Sequence, residues 1–259
     1  MSSAGPIVVK VGGSTLGEAD TTVPDIATLE RQGHQPIVVH GGGAEASRWL
    51  EAMGIESRFV DGLRVTDERT LPVVVAVFAG IVNKRIVAEL NAAGALAAGI
   101  SGADGRTLEC ELQRPELGFV GTPVVAHAEV VLALRAAGVI PVISPIGYVA
   151  RPEADQLVNV NADEAAAWIA HALNASSLVF LTDVEGVRGA DGVVRRTLDA
   201  AAVAELRAAG VVAGGMIPKT EACLRAAAMG VRSQIVDGRV PGALLALAGQ
   251  GTVFEPEAH

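Results

Sequence analysis

Two short β-branched runs, each ending in consecutive glycines, constrain this chain more than any other feature. Residues 6–14 read PIVVKVGGS and residues 36–43 read PIVVHGGG. Valine and isoleucine suit a pleated, buried surface and glycine ends such a run, so both read as buried strands. Residues 44–53 (AEASRWLEAM) then read as a helix that starts on the second glycine turn and stops at Gly54. A helix so placed aims its free N–H groups and positive dipole end at the turn. Lys10 carries the same message. An ammonium in so apolar a run is costly to desolvate unless an anion meets it or its stem carries the charge past the strand end. Beside glycines whose bare backbone can approach a ligand closely, the anion that fits is a phosphate.

The rest of the chain repeats the strand, turn, helix rhythm. Helices are expected at 25–32 (with Asp25 as the cap), 71–93 (with Gly80 inside), 127–137, 161–174, 199–209 and 220–229. Strands are expected at 95–100, 177–181, 232–236 and 252–254, a strand-and-turn unit at 139–147, a tight turn at Asp61-Gly62 and a hairpin over 184–197 turning at Asp191-Gly192. Residues 106–125 have poor periodicity and read as a surface excursion of small strands; 148–158 read as a loop or hairpin. This βαβ-like order points to an α/β fold with a parallel sheet and helices on both faces. No low-complexity linker divides it, so a boundary near 170–180 would be a division of labour inside one sheet.

Composition narrows the partners. Aromatic residues are 3% while hydrophobic residues are 50% and glycines number 30, so the core is aliphatic and the helices lie close to their sheet. The formal net charge of −9, with no Lys/Arg stripe, argues against a nucleic-acid surface. Cys110 and Cys223 lack metal or disulfide spacing and read as reduced thiols of a cytoplasmic protein. Apolar runs such as 71–82 fall short of 18 residues and are flanked by charge, and no basic segment precedes an apolar leader, so neither a membrane span nor a signal is expected. The dinucleotide pattern GxGxxG and the phosphate-loop pattern GxxxxGK[ST] are both missing after the first strand.

Six further positions bear chemistry. Lys219 follows GGMIP beside the start of a helix, where the dipole disfavours a cation unless an anionic ligand joins it. Asn159, Asn161 and Asp163 alternate in LVNVNAD. An aspartate at a helix start is commonly a cap, yet a cap leaves two neighbouring amides unexplained, and one carboxylate can hold two lysines around a phosphate. Asp183 stands after strand 177–181, at the sheet edge where α/β folds bind ligands. Arg64 is either a turn residue in solvent or a bidentate fork for a carboxylate. His40 has no triad-like spacing around it and reads as a strand-end histidine bonded to backbone. Glu45, Glu164 and Glu221 read as helix-surface charges, and Asn83 and Lys84 as an interruption of the apolar helix 71–93.

Together KVGGS (10–14), VHGGG (39–43), VDGLRVTD (60–67), AGIVNK (79–84), SGADG (101–105), LGFVGTP (117–123), PVISPIG (141–147), NVNAD (159–163), LTDVEGV (181–187) and GGMIPK (214–219) span nearly the whole chain. Single blocks are weak, but in this order they closely resemble the amino-acid kinase family, in particular its members that phosphorylate N-acetyl-L-glutamate. The resemblance implies a three-layer αβα sandwich with a mainly parallel central sheet (the amino-acid kinase / carbamate kinase-like fold) as one domain over 1–259. Its N-terminal lobe, 1–175, would bind the acyl amino acid and its C-terminal lobe, 176–259, ATP. It implies a transfer of phosphate to the side-chain carboxylate, the acyl phosphate step of arginine and ornithine synthesis. Lys10 would contact the transferring phosphoryl group, Lys219 the leaving phosphates, and Asp163 would organise both lysines. Backbone N–H groups of Gly12, Gly13, Gly42 and Gly43 would stabilise phosphoryl oxygens. Arg64 and Asn159, with Asn161 beside them, would bind the substrate, and Thr182 and Asp183 would lie by the nucleoside. Mg2+ would ride on the phosphates, with no protein ligand.

Departures from the family pattern set further expectations. The first strand begins almost at residue 1, without the extra N-terminal helix that links dimers in arginine-inhibited hexamers, which implies a homodimer without that feedback. Ala44 and Glu45 replace the usual proline after HGGG, blurring the substrate side. A carrier-protein-linked aminoadipate or glutamate is the alternative substrate, and it should demand a basic entrance. A regulatory member that binds without catalysis would be expected to lose one of the lysines.

Overall fold

The computed structural model describes residues 5–12 and 21–256 of the 259. In chain order these form β1 (Ile7–Val11), α1 (Thr22–Arg31), β2 (Pro36–His40), α2 (Gly43–Ala52), β3 (Phe59–Val60), β4 (Leu63–Arg64), α3 (Thr70–Ala92), β5 (Ala97–Ser101), β6 (Leu108–Leu112) and β7 (Val120–Ala126). They continue with α4 (Glu129–Ala136), β8 (Ile140–Ser144), β9 (Ile146–Val149), β10 (Gln156–Val160), α5 (Ala162–Ala172), β11 (Ser177–Thr182), α6 (Ala200–Ala208), α7 (Met216–Ala228), β12 (Ser233–Asp237) and β13 (Thr252–Phe254).

Seven strands make one sheet in the order β13-β12-β11-β1-β2-β8-β5. Every pairing in it is parallel except β12 with β13. The first and second halves of the chain therefore meet inside one sheet, where β1 pairs with β11. Parallel strands covered on both faces should divide their side chains by parity, and they do. Val8, Ile37, Val39, Leu178 and Phe180 enter one core with the alanines of α5 and α7, whereas Val9, Val38, Val179 and Leu181 enter the other with α1 and α3. Lys10 shares the parity of Val8 and is registered with Val39 and Phe180, so its side chain is directed to the α5/α7 layer.

Several expectations shift. Helix α1 begins at Thr22, so Asp25 lies in its first turn instead of capping it. Residues 106–125 are no surface excursion: β6 and β7 close with β9 and β10 into a small four-stranded barrel with Leu108, Cys110 and Val120 buried. Its long-range pairings and a register shift at Glu109/Cys110 blur the local period. The turn at Asp61-Gly62 is as expected, with both residues at positive φ (51° and 79°) joining β3 to β4. The pairing around Asp191-Gly192 reduces to a single bridge, Arg188 to Val194.

Helix α3 runs for 23 residues and widens to π-helical turns over Ala76–Val82. By length and composition it could cross a membrane, since it continues through Asn83, Lys84 and Arg85 beyond the apolar run. Its Val74, Val77, Ile86 and Leu90 instead lie in the core on the sheet. Leu90 is completely buried there, and Leu90→Ala is expected to lower stability by about 2–5 kcal/mol, read from the urea midpoint.

Candidate active site

Lys10 enters the site from the central strand, Asp163 from the first turn of α5 and Lys219 from the first turn of α7. The cap of α5 is Asn161, whose side-chain oxygen accepts from the N–H of Asp163 at 2.9 Å and of Glu164 at 3.2 Å. The capping role weighed for Asp163 thus falls to Asn161, and the carboxylate is free to turn inward. Lys10 Nζ lies 2.8 Å from Asp163 Oδ1 and Lys219 Nζ 3.2 Å from Asp163 Oδ2. Helix α7 starts at Met216, four residues ahead of the expected start, so Lys219 is its fourth residue instead of preceding it; Pro218 is tolerated in a first turn.

All three groups are at most 8% exposed. Two cations share one anion here, at the positive ends of two helices. Burial pushes the Lys10 ammonium below its ordinary pKa, Asp163 opposes this and Lys219 reinforces it. Burial works to raise the Asp163 pKa, but the two lysines outweigh it and hold the carboxyl below its usual range. The cluster keeps an excess of positive charge that an anionic ligand would balance.

Two cavities adjoin the cluster. One, of about 450 Å³, is lined by Lys10, Gly12, Thr182, Asp183, Gly215 and Lys219. The other, of about 150 Å³, is lined by Gly41, Gly42, Gly43, Arg64, Asn159 and Asn161, among others. The structure therefore distributes the expected residues over two cavities, with Asp163 one residue beyond the start of α5. Gly13 lies outside the described residues. Gly42 is the cap position of α2 and Gly43 its first residue.

Arg64 is buried without a carboxylate partner among the described residues. Its guanidinium donates to Ser57 Oγ, Ser47 Oγ and the Gly43 carbonyl, each at 2.8 Å, and stacks 4.7 Å from the Phe59 ring centroid. Burial lowers its pKa. Asn159 Nδ2 donates to Thr66 Oγ1 at 3.1 Å. Ser47, Ser57 and Thr66 are site-building residues that sequence reading missed, because the contacts they make with Arg64 and Asn159 follow no helix or strand period.

Other assignments change or hold. Glu45 and Glu164 are mostly buried instead of surface charges: Glu45 meets Trp49 Nε1 at 3.1 Å, and Glu164 meets Arg225 at 3.5 Å. Burial raises the Glu164 pKa. Glu221 is half exposed and pairs with Arg207 at 2.7 Å. His40 bonds backbone as expected, and burial pushes it down to about 4, leaving a neutral ring. Cys110 and Cys223 are free and buried, and burial pushes the Cys110 thiol up to about 12.

A parallel sheet with glycines at its strand ends and two lysines on one carboxylate near two cavities defines an α/β ligand-binding architecture. Residues 5–237 match the amino acid kinase family model. The chain is 45% identical over 242 residues, covering 92% of it and 89% of the relative, to an acetylglutamate kinase of Dehalococcoides mccartyi (strain CBDB1). It superposes with a TM-score of 0.84 at 26% identity on smu.665 from Streptococcus mutans UA159, over 97% of this chain and 98% of that one. A carbamate kinase from Giardia shares the fold, with a TM-score of 0.75 at 15% identity over 99% and 100% of the two chains. The chain belongs to the amino acid kinase family, and it is a kinase of that family with the expected α/β fold.

Removing the shared carboxylate leaves two lysines facing each other, so Asp163→Asn is expected to cost about 3–5 kcal/mol at pH 7. Because the Asp163 pKa is lowered on folding, its contribution is complete above the ordinary carboxylate pKa and fades as pH falls through the lowered one. The gap between the urea midpoints of the two proteins should narrow as pH falls below the ordinary carboxylate range.

Proposed function

We propose that this chain transfers the γ-phosphoryl group of ATP to the side-chain carboxylate of N-acetyl-L-glutamate, forming N-acetyl-L-glutamyl 5-phosphate in arginine synthesis. The observation that carries the reading is the single carboxylate bridging two buried lysines beside one large and one small cavity. The reaction must bring together two anions that repel each other, and it is accelerated by positioning and by fixed positive charge.

In this reading a carboxylate oxygen of the acid attacks the γ-phosphorus. The bond to the β,γ-bridging oxygen breaks, and ADP leaves with the electron pair. A carboxylate with a reference pKa of about 4.3 is already ionised near neutrality, so no proton need be removed. Lys10 neutralises the transferring group and Lys219 the leaving phosphates, while Asp163 holds both ammonium groups in place. N–H groups of Gly12, Gly13, Gly42 and Gly43 receive the phosphoryl oxygens. Arg64 and Asn159 bind the α-carboxylate end, with Asn161 beside them, and Thr182 and Asp183 lie by the nucleoside. No group of three or more His, Cys, Asp or Glu side chains gathers among the described residues. The reading keeps Mg2+ on the phosphates and assigns it no protein ligand.

The charge pattern beside the small cavity favours a free acid over a carrier-linked one. The adjoining cleft of about 600 Å³ is lined by Arg114, Arg207 and Arg225, but also by Asp61, Glu221 and Glu164. Each arginine faces one of these acids, at 3.0, 2.7 and 3.5 Å respectively, so among the described residues the lining of this cleft carries as many acids as arginines, which speaks against an acidic carrier docking there. Both lysines in contact with Asp163 also speak against a member that binds without catalysis. The reading includes a cytoplasmic homodimer, which light scattering on the purified chain would test.

The direct test traps acyl phosphate as hydroxamate with ATP and magnesium, comparing N-acetyl-L-glutamate, free glutamate and N-acetyl-L-aspartate. Turnover confined to the first supports the reading; silence on all three sinks it. Lys10→Ala and Lys219→Ala are each expected to lower kcat at least about 100-fold while circular dichroism stays native. Arg64→Lys is expected to raise KM for the acid at least about tenfold, since a point charge cannot replace the planar fork.

A further inference from the structure

The glycine turn after β2 is braced from behind by α3. The His40 ring is buried, with Nδ1 2.7 Å from the Gly41 carbonyl oxygen and Nε2 3.1 Å from Asn83 Nδ2. The orientation of the Asn83 amide is set independently. Its Nδ2 also donates to the Val142 carbonyl at 2.9 Å, with the Ile100 carbonyl farther off at 3.3 Å than the His40 ring, and its Oδ1 accepts from Lys84 Nζ at 2.9 Å. Nδ2 is therefore the donor toward His40 and Nε2 the acceptor, which places the single proton of the neutral imidazole on Nδ1. That N–H donates to the Gly41 carbonyl.

A trans peptide points its C=O and its N–H in opposite directions. Holding the Gly41 carbonyl toward His40 thus turns the Gly42 N–H of the same peptide unit away from the ring. Among the described residues that N–H has no acceptor, and Gly41, Gly42 and Gly43 all line the smaller cavity. The turn is pinned on a second side by Phe78, from the π-helical part of α3: a Cβ at Gly42 would lie 2.8 Å from its ring. Helix α3 thus fixes the glycine turn both by contact and by a hydrogen-bond relay.

We propose that His40, oriented by Asn83, is a positioning residue that fixes the Gly41–Gly42 peptide plane so that the Gly42 N–H is aimed at the oxygens of the transferring phosphoryl group. The inference rests on the phosphoryl-transfer reading above and assigns a duty to a histidine that takes no proton in that reaction. An asparagine at 40 can place a side-chain N–H where Nδ1 stood. A glutamine reaches toward Asn83 and leaves the Gly41 carbonyl without its donor.

The test compares wild type, His40→Asn and His40→Gln in the hydroxamate assay, with thermal unfolding alongside. His40→Asn is expected to keep kcat within about threefold of wild type. His40→Gln should melt within a few degrees of wild type, with KM for the acid changed little, yet lose kcat about 10- to 100-fold. Equal kcat in wild type and His40→Gln, or equal losses in the two variants, overturns the inference alone. Wild-type silence on every acid overturns the underlying reading as well. Should His40→Gln not fold, the wild-type protein decides: the Gly42 amide proton is expected to move downfield when ADP, aluminium fluoride and N-acetyl-L-glutamate bind. An unmoved Gly42 resonance rejects the proposal.

Discussion

One carboxylate shared by two buried lysines is the constraint on which the site depends. Asp163 reaches Lys10 on one oxygen and Lys219 on the other, joining the central strand to the first turns of two helices. A buried ammonium is stable only with a partner, and a carboxylate only with donors, so each group needs the others. The imbalance in charge is functionally apt. A fully neutralised cluster would have no electrostatic reason to admit a phosphate, whereas an excess cation between two helix N-termini does.

The sheet turns that local requirement into a geometry. Parallel strands place their C-terminal ends along one edge, so Gly12 after β1 and Thr182 and Asp183 at the end of β11 line one cavity, and the glycines after β2 line the other. Alanine-rich α5 and α7 lie close to the sheet because their buried faces carry small side chains, including Ala166, Ala170 and Ala226 at 0% exposure. That close approach lets the short carboxylate of Asp163 meet a lysine on a strand. On the opposite face α3 supplies the brace for the glycine turn, with Asn83 joining the helix to β2 and β8.

The parts of the site most visible in sequence are those whose chemistry breaks a local rule. Lys10 stands in an apolar strand, consecutive glycines follow two strands, and Lys219 lies at the wrong end of a helix dipole. The supporting residues break no such rule. Ser47 and Ser57 hold Arg64 from 17 and 7 residues away, and in sequence they are ordinary helix and loop serines. The assignment of the cap shows the same limit. Local grounds offered the cap to Asp163, and only the closed structure gives it to Asn161.

The order of the main-sheet strands and the helices that cover them, the parallel character of that sheet and the places of the glycines after β1 and β2 were determined by sequence alone, because burial on both faces and backbone freedom are written into short stretches of residues. The four-stranded barrel, the burial of Glu45 and Glu164, the serine-held guanidinium and the relay from Asn83 through His40 to Gly41 were decided only by tertiary structure. Each depends at least in part on packing between segments distant in the chain, and hydrogen bonding or desolvation at such contacts leaves no periodic trace in the sequence.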